Sequence, residues 1–502
     1  MDRPRATLLL QGVLLLCLVT HAVLQDGDQQ AGGDVSSSVC GGCSCGGGLL
    51  DCSGLPLEGG GGGGGGGVGS WFWPRCECAA ASNLTAVFRA CDIKVLFPLP
   101  EQRGVSSLSL RHNRMVDIHD GAFAKLPGLV ELDLSHNLLQ VEDVRPTVLR
   151  GPYSPARYEP MALQLLDLSY NQLHSLDPQA FEHCPSLRVL RLDYNPLKVI
   201  DGPTLRAVGT PHLQELGLAG AQLSAVPRRL LEQLASRRSL RALRLSDNNL
   251  TAVPDGLQLL DATLEELNLS ATQLEQLDDE SLLGEWRRLR SLALSAMPRL
   301  RRLGPRALSS LTQLEQFLCA FNGQLQEVHP LATAGLENLR WVRLDNNALE
   351  RLGADSLPWS SLAELRLEGN PWRCDCSALS WLSQKAADAI TDQPRCVAPE
   401  SLRDAGLASL NASSLCAVEW RRGAAGAARG RKARARAGMS VAQAAGLAAV
   451  VALGSLLGVA LILRSRRRRR DDERRHSVYC VNVRYSQLAG AMSSVTGGPI
   501  AP

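Results

Sequence analysis

Cysteine is the residue type whose spacing most clearly indicates chemistry in this sequence. Of fifteen cysteines among 502 residues, seven lie between Cys40 and Cys91 and four between Cys374 and Cys416. Thiols at such spacings either pair as disulfides or bind zinc. No histidine stands at ligand spacing near the first group, and a chain that enters the secretory pathway oxidises its thiols. We therefore predict disulfides, with a zinc site as the alternative.

The N-terminal cysteines are expected to close one cap that a run of glycines interrupts. Cys76, Cys78 and Cys91 stand closest to the regular part of the chain, and an upstream cysteine is expected to complete the set. The nine glycines at 59–67 have nothing to bury and are predicted to form a flexible insert. Seven cysteines cannot all pair with one another, so one is left over.

Four Asn-x-Ser/Thr sequons could carry N-linked glycans on a secreted chain. They begin at Asn83, Asn249, Asn268 and Asn411. We predict glycosylation of Asn83, Asn249 and Asn411. Asn268 falls on a predicted strand, where a glycan would cover part of the expected binding face.

Three short patterns near the C-terminus have a possible regulatory meaning. Tyr485-Ser-Gln-Leu488 fits a tyrosine-based sorting signal, and Ser477 follows basic residues as in a kinase site. Gly454 and Gly458 form a small-xxx-small pair that would let two membrane helices pack closely. These patterns predict endocytosis, phosphorylation and a possible homodimer.

No set of residues has the spacing of a catalytic site. The glycine run lacks the lysine and the following helix of a phosphate-binding loop. Histidines such as His112 and His136 fall beside a repeated asparagine, where they are expected to be solvated or to line the predicted sheet. We predict a protein without enzymatic activity, metal or cofactor.

A repeated pattern, Leu-x-x-Leu-x-Leu-x-x-Asn, occupies residues 105–370. The structure that it forms must position the cysteines, sequons and histidines described above. A clear copy runs from Leu129 to Asn137, and eleven copies begin at 105, 129, 163, 187, 213, 240, 264, 289, 314, 339 and 362. In each Leu-x-Leu core the leucines point inward and the middle residue points outward, as in a short strand. One repeat cannot bury its leucines alone, so neighbouring copies must stack.

The predicted fold class is α/β. We expect a right-handed, curved leucine-rich-repeat solenoid with a parallel β-sheet on its concave side, disulfide-capped ends and one transmembrane helix. In leucine-rich repeats generally the repeated Asn bonds backbone groups where each strand turns away, and the resemblance implies the same role here. Ala221, Thr272 and Met297 replace it in three copies, so we expect a less regular ladder there.

The segments around the repeats are assigned from composition and charge. A basic start followed by a short apolar run predicts a signal peptide, whereas 23 uncharged residues followed by an arginine block predict a membrane span. Basic runs on both sides of that span indicate a membrane rather than nucleic acid as the partner. The predicted order is signal peptide 1–22, flexible Cys/Gly-rich segment 23–71, N-terminal cysteine cap 72–104, repeats 105–370, C-terminal cysteine cap 371–416, basic stalk 417–440, transmembrane helix 441–463 and cytoplasmic tail 464–502.

Ligand-binding residues are expected among the outward side chains of the predicted sheet, which stacking aligns in columns. Two places carry aromatic, apolar or arginine side chains, a composition enriched at protein contacts. The first comprises Leu165, Tyr170, Val189 and Tyr194, and the second comprises Leu318, Phe321, Trp341 and Arg343. The alternative is that neighbouring side chains partly cover these rings and that the rings touch no partner.

The end of the array resembles the cysteine-rich C-terminal flanking unit of extracellular leucine-rich repeat proteins. The matching residues are Asn370-Pro-Trp-Arg-Cys374-Asp-Cys376, followed by Cys396 and Cys416. The resemblance implies the disulfides Cys374–Cys396 and Cys376–Cys416. With the predicted anchor, the chain is similar to single-pass members of this family, such as the trophoblast glycoproteins and the insect adhesion proteins.

Two functions follow as hypotheses. The first is cell-surface recognition or adhesion, in which the concave face binds an extracellular or cell-surface protein. The second is a non-catalytic coreceptor that modulates another receptor's signalling. In both, the protein lies in the plasma membrane as a type I chain with an extracellular N-terminus and has no nucleic-acid partner.

Overall fold

The computed structural model describes residues 38–40, 42–55, 73, 83–154, 157–278, 281–282, 284–376 and 384–410. Within these residues, no helix is long and apolar enough to cross a membrane. The predicted signal peptide, stalk, transmembrane helix and cytoplasmic tail lie outside them. So do the predicted site residues Cys76, Cys78, Asn411, Cys416, Gly454, Gly458, Ser477, Tyr485 and Leu488.

A sheet of fifteen strands runs through the described residues. The strands of the chain are β1 Ser38–Cys40, β2 Cys43–Gly46, β3 Leu49–Asp51, β4 Leu84–Val87, β5 Val95–Leu96, β6 Val105–Ser109, β7 Asp117–Ile118, β8 Glu131–Asp133, β9 Tyr153–Ser154, β10 Arg157–Tyr158, β11 Leu165–Asp167, β12 Val189–Arg191, β13 Glu215–Gly217, β14 Ala242–Arg244, β15 Glu266–Asn268, β16 Gln276–Leu277, β17 Ser291–Ala293, β18 Arg302–Leu303, β19 Gln316–Leu318, β20 Glu327–Val328, β21 Trp341–Arg343, β22 Glu364–Arg366, β23 Trp372–Arg373 and β24 Cys396–Ala398. The main sheet has the order β1-β2-β3-β4-β6-β8-β11-β12-β13-β14-β15-β17-β19-β21-β22. All eleven predicted repeat strands are present in it.

The repeat strands pair in parallel without a shift of register, because each buries the same face. Leu132 in β8 lies beside Leu108 and Leu166 in the adjoining strands, and all three are buried. The residues on either side of each central leucine point away from this core. We call their surface, together with the outward residues that follow each strand, the ladder face. Stacking therefore replaces a single globular core with a continuous row of leucines.

The segments that return from one strand to the next are mostly turns. The described residues contain three short α-helices, α1 Gly202–Ala207, α2 Arg228–Arg237 and α3 Gln384–Ala389. They also contain four 3₁₀ helices, Val141–Asp143, Leu257–Leu260, Glu400–Leu402 and Leu407–Ser409. A three-stranded parallel sheet, β16-β18-β20, and the pair β5-β7 also belong to the returning segments. The described part is thus richer in β-structure than the predicted α/β class suggests.

The N-terminal cap begins earlier than predicted. Residues 38–55 were assigned to a flexible segment, but β1, β2 and β3 form an antiparallel unit at the end of the main sheet. Across the glycine-rich insert, β3 pairs in parallel with β4, which places Leu50 beside Ala86. A disulfide joins Cys43 to Cys52, and Cys45 is also disulfide-bonded. The flexible assignment is therefore wrong for 38–55, because these strands cover the open end of the array.

Cys91 does not form the predicted disulfide. Its thiol is free and buried, and it donates to the Cys52 carbonyl oxygen at 3.1 Å. The segment Leu84-Thr-Ala-Val-Phe88-Arg-Ala-Cys91 is a degenerate copy of the repeat in which cysteine takes the asparagine position. The structure therefore has one more parallel turn than the eleven predicted repeats. The prediction was wrong because Cys91 belongs to this turn.

Buried asparagines form a ladder along the array. Asn137 accepts a hydrogen bond from the Met115 N–H at 3.1 Å and donates to the carbonyl oxygens of Leu110 at 3.1 Å and Leu134 at 2.9 Å. Each such side chain satisfies backbone groups of two adjacent turns that would otherwise be buried without partners. The ladder consists of Asn113, Asn137, Asn171, Asn195, Asn248, Asn322, Asn347 and Asn370.

The ladder is less regular where asparagine is replaced, as predicted. Beside Ala221 the Leu197 N–H turns to the Asn195 carbonyl oxygen at 2.8 Å instead of to a side chain in the next turn. Thr272 donates to the Leu269 carbonyl oxygen at 2.8 Å. The Met297 side chain is buried and apolar, so it cannot form the bonds of the asparagine ladder.

The C-terminal cap contains the disulfide Cys374–Cys396 that the resemblance implied. Cys376 is disulfide-bonded as well, and its predicted partner Cys416 lies outside the described residues. Trp372 is buried, and its ring N–H donates to the Leu367 carbonyl oxygen at 2.9 Å. The cap thereby covers the last repeat with an aromatic side chain and a covalent link.

Candidate functional site

One outward column of the ladder face lies just beyond the strands. It consists of the residue before each position of the asparagine ladder, and its non-glycine members have φ angles of 55° to 60°. Glycine adopts this left-handed backbone freely, and asparagine, aspartate and histidine adopt it more often than other residues, whereas tyrosine and phenylalanine rings rarely do. Rings at these positions are therefore candidates for function rather than for stability. The non-glycine members are Ala90, His112, His136, Tyr170, Tyr194, Asp247, Ala271, Ala296, Phe321 and Asn346.

Four successive rings of this column form one stack, which we call the ring column. His112 stacks on His136 with centroids 4.1 Å apart, His136 stacks on Tyr170 at 4.1 Å, and Tyr170 stacks on Tyr194 at 4.4 Å. The next position is Gly220, where an ideal Cβ would lie 2.3 Å from Tyr194 Cδ1. Glycine therefore leaves the room into which the last ring of the column packs.

The ring column favours neutral side chains at neutral pH. Burial, together with the neighbouring His112 and Arg111, lowers the pKa of His136 to about 4. One Arg111 guanidinium nitrogen lies 3.2 Å from His136 Nε2, an arrangement in which an unprotonated Nε2 accepts the bond. Burial also raises the pKa of Tyr194, helped by Asp247. The side chains of His136 and Tyr194 are thus uncharged at neutral pH.

The stack should make stability depend on pH through His136. Its folded pKa is below its unfolded value, so the unfolded chain takes up the proton first as pH falls from about 6.5 to about 4. Over this range we expect the free energy of unfolding of wild type to fall by about 1 kcal/mol more than that of His136→Phe. This value is discounted for solvent screening. Denaturant titrations near neutral pH and near the lower limit measure the difference. Equal losses in the two proteins would contradict the expectation.

The His136→Phe comparison is needed because a second group, Asp193, makes stability rise rather than fall as the pH decreases. Burial raises the pKa of Asp193 to about 6. The folded state then binds a proton more tightly than the unfolded state, which adds stability as pH falls through about 6. Asp193 is present in both proteins, so its contribution cancels in the difference.

A row of alternating charges crosses the ladder face beside the ring column. Arg191 Nε lies 3.0 Å from a Glu215 carboxylate oxygen, and Arg244 lies 2.9 Å from the same oxygen. Arg191 also lies 3.6 Å from Asp167. These residues occupy neighbouring strands in matching register, so parallel stacking brings them together.

A shallow pocket of about 250 Å³ lies between the ring column and the charged row. Two polar atoms at its edge are buried without a hydrogen-bond partner among the described residues, Ser135 Oγ and Arg111 Nε. Buried polar groups in proteins are normally paired, so such atoms mark a place suited to a polar ligand. The residues that line the pocket are Arg111, Ser135, His136, Asp167, Ser169, Tyr170, Arg191, Asp193, Tyr194, Ala219, Arg244 and Ser246.

The first predicted set of binding residues is split by the structure. Tyr170 and Tyr194 are both exposed and stacked. Leu165 and Val189 are half-buried and pair with each other at the start of their strands. The charged row separates the two pairs, so they do not form one apolar patch.

The second predicted set contains two exposed rings and an arginine that is already paired. Phe321 and Trp341 are 41% and 43% exposed, which matches Tyr194 and Tyr170 at 39% and 43%. Arg343 forms two hydrogen bonds with Asp345, both 3.0 Å long. Leu318 is half-buried on the same face. This set resembles the first in exposure but lacks a ring stack.

The predicted glycosylation sites that the structure describes are accessible. Asn83 and Asn249 are exposed, and Asn268 is half-buried on the ladder face. Among the described residues, no group of His, Cys, Asp and Glu side chains is placed to hold a metal ion. Glycosylation of Asn83, Asn249 and Asn411 remains a prediction.

The ring column was missed as a unit in the sequence, although a signal for it was present. His112, His136, Tyr170 and Tyr194 each immediately precede a repeated asparagine. Equal offsets from a structural residue imply one column in a stacked array. That offset should have grouped the two histidines with the two tyrosines.

Known proteins match parts of the chain. The leucine rich repeat family matches residues 103–151 and 161–197. Human podocan-like protein 1 is 27% identical over 311 residues, covering 58% of this chain and 56% of its own length. Trophoblast glycoprotein of Macaca fascicularis is 24% identical, covering 68% and 66%. Chaoptin of Drosophila melanogaster is 31% identical, covering 40% and 13%. The chain spans about half the length of the curated podocan relatives it matches.

Solved structures also resemble the fold. The mouse RP105/MD-1 complex matches with a TM-score of 0.43 and 23% identity, covering 66% of this chain and 50% of the other. A complex of Latrophilin 3, Unc5D and FLRT2 matches with a TM-score of 0.42 and 18% identity, covering 75% and 98%. The family match, the parallel sheet and the asparagine ladder agree on one assignment. Residues 103–151 and 161–197 are similar to the leucine rich repeat family, and the parallel sheet continues the same repeat along the array.

Proposed function

We propose that this chain is a cell-surface recognition protein that binds an extracellular protein through its ladder face. The observation that carries the proposal is the ring column, in which bulky side chains hold a left-handed backbone on an open face. Aromatic side chains supply most of the energy at many protein contacts. The ring column lies beside a row of charges, as in interfaces that combine apolar area with fixed orientation.

The proposed location is the outer surface of the plasma membrane. Disulfides at both ends of the array fit an oxidising compartment. The uncharged segment 441–463, with the arginine block after it, supports a single-pass type I anchor. In this arrangement the ladder face is presented outside the cell, where a protein ligand has access to it.

Replacing Tyr170 and Tyr194 together with alanine should weaken partner binding by about 10- to 100-fold, because each truncation removes an exposed anchor ring. The partner is first identified by proximity labelling around the tagged chain on living cells. Its binding to cells that display wild type or the variant is then measured by flow cytometry at equal surface expression. Tyr→Ala changes at exposed positions leave the leucine core intact.

The matched control is Phe321→Ala with Trp341→Ala, which removes two equally exposed rings from the same face. This control should retain binding within about twofold, as expected outside an interface. Unchanged binding by both variants would contradict recognition through aromatic residues of the ladder face. Loss only in the control would place the contact on repeats nine and ten instead.

The second candidate function is a non-catalytic coreceptor. The exposed pair Phe321 and Trp341 favours it, because five strand spacings separate repeats four and nine by about 24 Å. Two proteins could then contact one ladder face at once. A cell-aggregation assay separates the two functions, since adhesion clusters expressing cells and coreceptor activity does not.

A further inference from the structure

The fifth repeat forms a notch in the ladder face. Its outward positions are occupied by the smallest side chains, Gly217, Ala219 and Gly220, which lie between larger residues of repeats four and six. Gly217 stands in register with Arg191 on one side and Arg244 on the other. The small residues thus leave a recess at the end of the ring column.

Asp193 projects into this notch with an incomplete set of partners. The residue is only 9% exposed, and one carboxylate oxygen accepts the Ala219 N–H at 2.7 Å. The other oxygen lies over Gly217, 2.5 Å from where a Cβ would be. In the described part of the chain, no cation comes within 4.0 Å of this carboxylate. A nearly buried carboxylate therefore presents an oxygen to the pocket without a counter-ion.

The arginines beside the notch form ion pairs with a residue other than Asp193. Arg191 and Arg244 both form ion pairs with Glu215, and neither comes within 4.0 Å of the Asp193 carboxylate, although their charges lower its pKa. With Asp167, three carboxylates face two guanidinium groups here. The local balance is negative, so a positive group is the ligand chemistry that the notch lacks.

A second aspartate at the same register shows what Asp193 is missing. Asp345 occupies the corresponding position in repeat ten, and Arg343 binds both of its oxygens at 3.0 Å. Burial alone would raise the pKa of Asp345, but the bonds from Arg343 bring that pKa below its usual value. Arg191 stands at the corresponding position beside Asp193, but it binds Glu215 at 3.0 Å instead, and burial raises the pKa of Asp193.

We infer that the notch receives a basic side chain, lysine or arginine, from the protein bound to the ladder face. The inference rests on the proposed function and names the chemistry of the contact. An ammonium or guanidinium group entering over Gly217 donates to the free Asp193 oxygen and completes its pairing. The ring column beside it supplies apolar contact for the rest of the partner's surface.

The test uses the full chain with 3-fluorotyrosine at position 194 and follows its ¹⁹F signal. The probes are arginine amide and lysine amide, with citrulline amide as the uncharged isostere of arginine. We expect saturable shifts in the millimolar range with both cationic probes and none with citrulline amide. Asp193→Asn should weaken the apparent affinity about tenfold, as loss of a charged hydrogen-bond partner does.

Two further variants distinguish binding of the probe in the notch from nonspecific attraction of a cation to carboxylates. Asp345→Asn removes the aspartate at the same register in repeat ten and should leave the titration unchanged. Gly217→Ala should abolish the shift, because its methyl group displaces the Asp193 carboxylate. Equal shifts with citrulline amide, unsaturable shifts, or equal affinity in Asp193→Asn would overturn the inference.

The experiments distinguish an error about the basic side chain from an error about recognition by the ladder face. If Tyr170→Ala with Tyr194→Ala loses the partner while Asp193→Asn binds it normally, recognition stands and the basic side chain is wrong. If neither variant affects partner binding, recognition through this region fails as well. Loss of partner binding in Asp193→Asn, together with the probe titration, supports both.

Discussion

Replacing Asn171 with alanine is expected to lower the free energy of unfolding by about 3 kcal/mol, roughly 1 kcal/mol for each of three buried backbone groups left without a partner. Asn171 accepts the Leu139 N–H at 3.1 Å and donates to the carbonyl oxygens of Leu134 at 3.1 Å and Leu168 at 2.9 Å. All three groups lie inside the array, where water cannot replace the lost bonds. Equilibrium denaturation of the purified protein measures the change.

The neighbouring residue Gln172 offers a matched control. It is exposed, so Gln172→Ala should change stability by less than about 0.5 kcal/mol. Hydrogen exchange gives a local reading, since the Leu139 amide should exchange faster in Asn171→Ala. Similar stability of Asn171→Ala and Gln172→Ala would show that the asparagine ladder does not hold the turns together.

A glycan placed on the ladder face is expected to abolish partner binding. Asp167→Asn creates a sequon with Ser169 in the middle of the charged row, next to the ring column. The backbone tolerates asparagine there, because Asn268 occupies the same register and accepts the Ser270 N–H at 3.0 Å, as Asp167 accepts the Ser169 N–H at 2.9 Å. The bulky sugar would stand over the rings and exclude a protein surface.

Two controls isolate the effect of the glycan. Asp167→Asn combined with Ser169→Ala makes the same change of charge without a sequon. Arg237→Asn completes a sequon with Ser239 at the exposed end of α2, on a returning segment rather than on the ladder face. Glycan occupancy is read from the shift in mass after enzymatic deglycosylation. Arg237→Asn should bind the partner as wild type does, whereas Asp167→Asn with Ser169→Ala should weaken binding by less than about tenfold, because it removes one charge of the row and adds no sugar.

The scaffold could be predicted from the sequence because one physical rule repeats. Each Leu-x-Leu core alternates inward and outward, so Leu132 and Leu134 had to be buried. The extra N-terminal turn was not predicted, because it does not follow this rule. Its core is Ala86 and Phe88 rather than two leucines, and Cys91 replaces the asparagine.

The candidate site was harder to predict because it depends on backbone geometry beyond the strands. Alternation places Leu165 on the outward face, but it stops before Tyr170, where the chain turns left-handed. The rings then stack along the array, and the charged row separates them from Leu165. The Arg343–Asp345 pair did not follow from spacing alone, since Arg191 and Asp193 have the same spacing but Arg191 binds Glu215.

The most direct test of recognition by the ladder face is the binding of the identified partner to cells that display the Asp167→Asn chain. Wild type, Asp167→Asn with Ser169→Ala, and Arg237→Asn are measured beside it at equal surface expression. Recognition through the ring column and its charged row predicts that only the chain glycosylated at position 167 loses the partner. Full binding by that glycosylated chain would contradict recognition of the partner by the ladder face.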